Sequence, residues 1–355
     1  MTDLFSGVYK GKKVLVTGDT GFKGSWMCIW LRELGAEVYG YALPPLTSQD
    51  NFVTTGLASH IHHQDGDIRD RDAVQAFFDK VKPDVAFHLA AQPLVIESYH
   101  NPHYNFETNL MGTVNFFEAV RACDTLKVAV NVTTDKCYQN NEWIWGYREN
   151  DPMGGDDPYS ASKGCSELIT HSYLRSFFSK EGSAHVASGR AGNVIGGGDW
   201  ADNRIIPDIM RAYRSGQAVE IRNAASVRPW QFVLEPVYGY LKLGEKLLSH
   251  GKEFSGGWNF GPAAYENYSV GDVVEELRRT IPAVRIESPR TSEKRHEAGL
   301  LKLDITKAVN LLGWKPRLDF EQTIRFTLEG YLEELSGSGD LYKSRVEQIK
   351  KYCSA

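Results

Sequence analysis

Tyr159 and Lys163 stand four residues apart in Asp157-Pro158-Tyr159-Ser160-Ala161-Ser162-Lys163. Asp157 suits a helix N-cap and Pro158 the first helical position, so this segment predicts a helix beginning there. On that helix the phenol and the amine share a face, one turn apart. An ammonium beside a tyrosine favours the phenolate and is expected to draw its pKa from about 10 towards neutrality. Such a group can take the proton of a hydroxyl while hydride leaves the same carbon. A second group comes earlier, in Val132-Thr133-Thr134-Asp135-Lys136-Cys137-Tyr138. Thr134 can hydrogen-bond the reacting hydroxyl. Asp135 and Lys136 add a carboxylate and an amine, which simple alcohol oxidation does not need.

A hydride needs an acceptor, and Gly18-Asp19-Thr20-Gly21-Phe22-Lys23-Gly24 is a G-x-x-G-x-x-G element after a strand and opening a helix. Glycines there let the backbone turn tightly towards a pyrophosphate, which the helix N-terminus attracts. Gly18, Gly21, Phe22 and Gly24 are therefore cofactor candidates, with Asp67 and Ile68 as an adenine contact and Ala90 beside them. Asp19 puts a carboxylate next to the expected diphosphate, which should weaken binding unless it faces away. The second strand ends Tyr41-Ala42-Leu43, without the acidic residue that normally holds a ribose 2′-hydroxyl. Neither Arg nor Lys follows before Arg69, so a 2′-phosphate has no partner and the reading leans to NAD over NADP.

The elements that must position these groups alternate. Val14–Thr17, Glu37–Ala42, Asp84–Leu89 and Val128–Thr133 read as strands, and Trp26–Leu34, Asp72–Lys80 and Asn105–Ala122 as helices. That rhythm predicts an α/β, Rossmann-like, doubly wound parallel sheet with helices on both faces. After about residue 170 it weakens, Val186-Ala187-Ser188 being a possible sixth strand. Helices are expected over Ile205–Ser215, Glu235–Ser249 and Val270–Thr280. A smaller C-terminal substrate-binding lobe is expected over the ligand edge: residues 1–185 bind the cofactor, with 225–260 woven in, and 186–355 are mainly the substrate lobe. Ser336-Gly337-Ser338-Gly339 reads as a short joint before a terminal polar helix.

The 355 residues carry 40 Lys+Arg against 45 Asp+Glu, a net charge of −5, which argues against nucleic-acid or anionic-membrane partners. Cys28, Cys123, Cys137, Cys165 and Cys353 are scattered, with no Cys-x-x-Cys pair. Neither a disulfide framework nor a zinc site is expected, and a reducing compartment is. With no signal-peptide pattern and no apolar run near the ~20 residues of a bilayer span, a soluble cytoplasmic protein is expected. His60, His62 and His63 are read as solvated rather than metal-binding, Trp143 and Trp145 as packing, and Cys137 and Cys165 as unactivated thiols.

The glycine turn, Tyr159-x-x-x-Lys163 and Thr134 together resemble the extended short-chain dehydrogenase/reductase superfamily. Within it the chain is most similar to the nucleotide-sugar 4,6-dehydratases, nearest to those acting on CDP-D-glucose. The resemblance spans about residues 11–320. It rests also on Trp145–Asn150, Arg190–Trp200, Arg228-Pro229-Trp230-Gln231 and Trp258–Pro262, with Lys136 as its most specific mark, because other 4,6-dehydratases usually carry Glu there. It implies that Tyr159 takes the sugar 4-hydroxyl proton as NAD+ accepts the C4 hydride. Lys163 then holds the cofactor ribose and tunes Tyr159, and Thr134 positions the hydroxyl. Asp135 protonates the departing 6-hydroxyl, Lys136 handles the C5 proton, and NADH returns its hydride to C6. Arg190, Asn193 and Arg228, with Arg295 less securely, would meet the sugar diphosphate, since guanidinium forks suit phosphate oxygens. A homodimer or homotetramer through Asn105–Ala122, and a product used for deoxysugars of surface polysaccharide, are also implied. A nucleotide-sugar 4-epimerase, a dehydratase of another nucleotide hexose and a non-enzymatic NAD-binding protein remain as alternatives.

Overall fold

The computed structural model describes the chain except for residues 222, 264, 288–299 and 338. Six strands form in the order the pattern calls for: β1 (Lys13–Thr17), β2 (Glu37–Ala42), β3 (His62–Asp65), β4 (Val85–His88), β5 (Val128–Val132) and β6 (His185–Ala191). With a seventh strand, Gly256–Phe260, they make one sheet in which every pairing is parallel. Its order is Gly256–Phe260, β6, β5, β4, β1, β2, β3, so the direction of winding reverses between β1 and β4. Parallel strands need helical crossovers on both faces, which is why β4 and β5 are buried along their whole length.

The helices are α1 (Phe22–Glu33), α2 (Asn51–Thr54), α3 (Arg71–Val81), α4 (Val95–His100), α5 (Pro102–Phe106), α6 (Gly112–Ala122), α7 (Pro158–Ser176), α8 (Ile205–Ser215), α9 (Leu234–His250), α10 (Val270–Thr280), α11 (Phe320–Ser336) and α12 (Leu341–Ser354). On one face of the sheet Val14, Val16, Phe87 and Val130 pack with α1, α9 and α12. Leu15, Ala86 and Ala129 point the other way, into α3 and α6. A separate apolar cluster joins α8, α10 and α11 through Ile209, Met210, Leu277 and Leu328. It is the core of the smaller lobe.

Two sequence expectations change. The single helix expected from Asn105 to Ala122 is α5 and α6 joined by a π-helical turn, Glu107–Met111. That wide turn carries Asn109, whose amide donates to the Gln92 carbonyl at 3.0 Å and to Ser162 Oγ at 2.9 Å. The joint before α12 is an ordinary helix stop at Gly337 in the left-handed conformation, with Ser338 outside the described residues. The expected terminal helix forms as α12, and its polar residues reach into the core. Arg345 is fully buried in it, donating to Asn51 Oδ1 at 2.9 Å and paired with Glu334. Tyr352 packs edge-on against Trp30 of α1 at 5.8 Å and donates to Glu235 Oε2 at 2.7 Å.

Candidate active site

The reversal between β1 and β4 opens a crevice beyond their C-terminal ends, the place where α/β sheets of this kind hold ligands. Gly18 leaves β1 at φ +78°, and a Cβ there would lie 2.6 Å from the Ala90 nitrogen that follows β4. A Cβ on Gly24 would lie 2.0 Å from the Gly18 carbonyl oxygen. These two positions require glycine for the turn to close. Gly21 caps α1 without a side-chain hydrogen bond, and no acidic residue occupies the first turn. The leading N–H groups of α1, at Phe22 and Lys23, thus suit a diphosphate.

Asp19 does not stand in its way. Its buried carboxylate crosses over Gly40 of β2, where a Cβ would lie 2.0 Å from Oδ2, and meets His63 Nδ1 of β3 at 2.7 Å. Of the two orientations the sequence left open for Asp19, the structure takes the one that faces away, and the reading of a solvated His63 is corrected. Burial raises the Asp19 carboxyl more than His63 lowers it. We expect Asp19→Ala to leave the Kd for NAD+ unchanged in a calorimetric titration, and to cost about 1–3 kcal/mol of stability. A tighter Kd would put the carboxylate back at the diphosphate. Asp67, the expected adenine contact, is held below the usual carboxylate range by Arg69, which approaches it to 2.6 Å. Ile68 is buried against Gly112. His60 stacks on Tyr342 at 4.0 Å.

Helix α7 starts where the sequence places it. Asp157 accepts from the Ser160 N–H at 2.9 Å, and Pro158 stands in the first turn. The helix end is fastened from α4 and α5: the Tyr159 N–H donates to Ser98 Oγ at 3.1 Å, and Asn105 to the Pro158 carbonyl at 2.9 Å. Tyr159 and Lys163 are both buried. Their electrostatics differ from the expectation. Burial pushes the Tyr159 phenol up to about 12, against the pull of a hydrogen bond with Thr134. Burial likewise draws the Lys163 amine down to about 8, with Glu167 holding it up. For each group desolvation is the largest cause, and neither residue figures among the causes of the other's shift.

The second group lies at the end of β5. Thr134 caps the short 3-10 turn Asp135–Cys137, and its hydroxyl donates to Asp135 Oδ1 at 2.9 Å. Asp135 is buried, pressed against Gly192, and its Oδ2 has no partner among the described residues. Burial raises its pKa although Lys136, Thr134 and Arg228 pull it down. The five expected catalytic residues thus converge: Thr134 links Tyr159 to Asp135, Lys136 faces Asp135, and Lys163 follows Tyr159 by one turn.

The expected diphosphate contacts do not converge in the same way. Arg190 turns inward from β6. Its guanidinium donates to Glu167 at 2.7 Å, to the Tyr138 hydroxyl at 2.6 Å and to the Glu149 carbonyl at 3.0 Å. Asn193 takes a left-handed φ of +44°, and its carbonyl accepts from the Gln231 N–H at 3.3 Å. Arg228 lies on a two-residue strand paired with Tyr268–Ser269 and lines a cleft with Pro262, Glu266 and Leu303. Arg295 falls outside the described residues. Trp143 stacks on Tyr147 at 5.2 Å, whereas Trp145 is exposed.

Two cations were not anticipated. Lys23 of α1 reaches the same crevice, where burial and the charges of Lys163 and Arg204 draw its amine down to about 7. Arg204, paired with Asp199 at 2.8 Å, faces Tyr159. Lys23 sits inside the glycine turn and could have been read from it; no local pattern marks Arg204.

Known proteins resemble this arrangement. The family described as GDP-mannose 4,6 dehydratase matches residues 15–327. A CDP-glucose 4,6-dehydratase of Salmonella typhimurium is 45% identical over 351 residues, covering 98% of each chain. A dTDP-glucose 4,6-dehydratase of Escherichia coli is 25% identical, covering 95% of this chain and 98% of that one. Of solved structures, a UDP-glucose-4-epimerase from Stenotrophomonas maltophila with bound NAD superposes with a TM-score of 0.80 at 20% identity, covering 92% of this chain and 100% of that one. A dTDP-glucose 4,6-dehydratase from Bacillus anthracis, in complex with NAD, does so at 0.75 and 20%, covering 91% and 97%. At those identities the superpositions speak for the fold.

Proposed function

The chain belongs to the GDP-mannose 4,6-dehydratase family, and from that premise we propose that it converts CDP-D-glucose to CDP-4-keto-6-deoxy-D-glucose with NAD. The observation that carries this is the meeting of Asp135 and Lys136 with Thr134 and Tyr159 at one strand end. Oxidation at C4 needs only Tyr159, Lys163 and Thr134. An acid and a base beside them serve a second step, the loss of water.

NAD+, when bound, supplies the acceptor for the C4 hydride and gives it back at C6, so the cofactor ends as it began. The turn Gly18–Gly24 and the open start of α1 suit its diphosphate, with Ala90, Asp67 and Ile68 along its path and Lys163 at its ribose. Tyr159 would receive the 4-hydroxyl proton, steered by Thr134, as its phenolate, a form that the positive charge of bound NAD+ and the Lys163 ammonium would favour over the protonated phenol of the unliganded chain. The new 4-keto group acidifies C5–H; Lys136 takes that proton and returns it to C5 as C6 is reduced. Asp135, whose carboxyl burial raises, gives its proton to the departing 6-hydroxyl, which leaves as water. Arg228 and Asn193, with Arg295, are assigned to the substrate diphosphate, and Arg190 acts behind them as a support. The sheet, including Gly256–Phe260, serves the dinucleotide, and the lobe built on α8, α10 and α11 serves the nucleotide sugar.

All five cysteines are unpaired, in keeping with the reducing cytoplasm we assign to the enzyme. Among the described residues, no helix is long and apolar enough to cross a membrane. Met111, 46% exposed, and Leu168, 57% exposed, leave apolar surface near α6 and on α7, and support a homo-oligomer through these helices, readable as mass by light scattering. The product suits deoxysugar synthesis for surface polysaccharide such as the O-antigen of lipopolysaccharide.

A panel of CDP-, UDP-, dTDP- and GDP-hexoses with NAD+ tests the reading. CDP-glucose should yield a 4-keto chromophore in base; clean CDP-galactose would instead make the protein a 4-epimerase. Lys136→Ala should still oxidise C4 but slow elimination by about 10²-fold or more, so that enzyme-bound NADH accumulates during turnover. Full turnover without that absorbance would remove Lys136 from the C5 step.

A further inference from the structure

One buried carboxylate behind the site has no part in the steps above. Glu167 stands on α7 one turn beyond Lys163, as Lys163 stands one turn beyond Tyr159. It is buried and its oxygens are fully engaged. The Thr133 hydroxyl donates to Oε1, and Oε2 accepts from Ser188 Oγ at 2.8 Å and from the Arg190 guanidinium at 2.7 Å. Thr133 belongs to β5's end and immediately precedes Thr134, Asp135 and Lys136. Arg190 carries the linkage to the Tyr138 hydroxyl, which in turn donates to Asn259 Oδ1 at 2.7 Å on the seventh strand. The two halves of the catalytic set therefore sit on different elements, a helix and a strand end, and Glu167 bonds to both.

We propose that Glu167 is a positioning residue for the reaction: its carboxylate ties the helix bearing Tyr159 and Lys163 to the strand end bearing Thr134, Asp135 and Lys136, and stands one turn from Lys163 on that helix. The inference rests on the dehydratase reading for its kinetic consequences, but the effect on Lys163 belongs to the folded chain alone.

The charges around the pair are few and nameable. Arg190, from β6, and Cys137, from the turn after β5, face Glu167; Lys23, from α1, and His88, from β4, face Lys163. Burial alone would raise the Glu167 carboxyl, but Arg190, Thr133 and Ser188 hold it below the usual range, so it stays charged. It is the carboxylate that counteracts the desolvation of Lys163. His88, buried and drawn down to about 3, remains neutral and cannot replace it.

Glu167→Gln keeps the shape and removes the charge. Two readouts separate the claims. The titration of the Lys163 amine, followed by NMR on lysine-labelled protein and identified with Lys163→Arg, needs neither substrate nor turnover. It should move down by about one pH unit in Glu167→Gln. The alkaline limb of kcat should move down with it, kcat itself should fall about tenfold, and KM for the sugar should hold. Glu167→Asp should restore the Lys163 titration. An unmoved Lys163 titration in folded Glu167→Gln overturns the proposal. Inactivity of the unmodified protein towards every nucleotide hexose would instead overturn the dehydratase reading and leave this titration result standing. If Glu167→Gln does not fold, Thr133→Val cuts only the bridge to the strand end. It should lower kcat without moving the alkaline limb, and wild-type kcat in that variant overturns the coupling.

Discussion

Tyr159→Phe will lower kcat for C4 oxidation by about 10²–10⁴-fold while leaving the folded state and NAD+ affinity near those of the parent. That range is what a positioned proton acceptor contributes. The ring is buried and its neighbours Ser98, Asn105 and Asp157 bond to the backbone around it, not to its hydroxyl. Removing the hydroxyl therefore takes away the proton acceptor and the hydrogen bond with Thr134 and little else. Bound NADH should not build up, because the first hydride never leaves C4; Lys136→Ala differs in that respect. Stopped-flow absorbance with CDP-glucose distinguishes the two variants. Oxidation by Tyr159→Phe at the parent rate would move the proton acceptor elsewhere, with Lys23, at about 7, the next amine in the crevice. The alkaline side of the profile follows from Lys163: its amine, near 8, loses its charge as pH rises, so activity supported by that ammonium declines above this value.

Arg190→Met should cost about 3–5 kcal/mol of stability, the usual consequence of leaving one member of a buried ion pair without its partner. Arg190 is 5% exposed and Glu167 is 4% exposed, so water cannot take over the role of the missing guanidinium. Urea unfolding reads the loss. The double variant Arg190→Met with Glu167→Met should recover a large part of it, because the stranded charge is then gone. A substrate contact would behave otherwise: KM for the nucleotide sugar would rise many-fold with the unfolding midpoint untouched. That outcome would return Arg190 to the diphosphate, where its type and its Arg-x-x-Asn spacing first put it.

The contrast shows what was legible before the structure. Tyr159 and Lys163 were legible because both lie on one helix, whose start Asp157 and Pro158 announce and whose pitch fixes their separation. The glycine turn was legible because strand, turn and helix are consecutive. The directions of Arg190 and Asp19 were not legible, for the opposite reason. Each could point either way from its strand end, and the partner that decides, Glu167 for one and His63 for the other, is supplied by a distant segment. Glu167 itself continues the four-residue spacing from Lys163, a signal present in the sequence and not used. The tyrosine's acidity was misjudged because spacing says that two groups meet but not how dry the meeting place is. Arg204 had no local mark at all, since only the folding of the later lobe onto the sheet brings it to Tyr159.

Helix α12 sets an order of events during synthesis. Trp30 and Asn51, which it covers and bonds, leave the ribosome some three hundred residues before Tyr352 and Arg345. Domains generally fold as units with the earlier part first, but here the early unit keeps an uncovered apolar side along α1 until residues 341–354 arrive. The glycine turn opens that same helix. The helix that opens at the glycine turn is therefore covered only once residues 341–354 have been made, and a stall before residue 341 leaves that side of α1 bare.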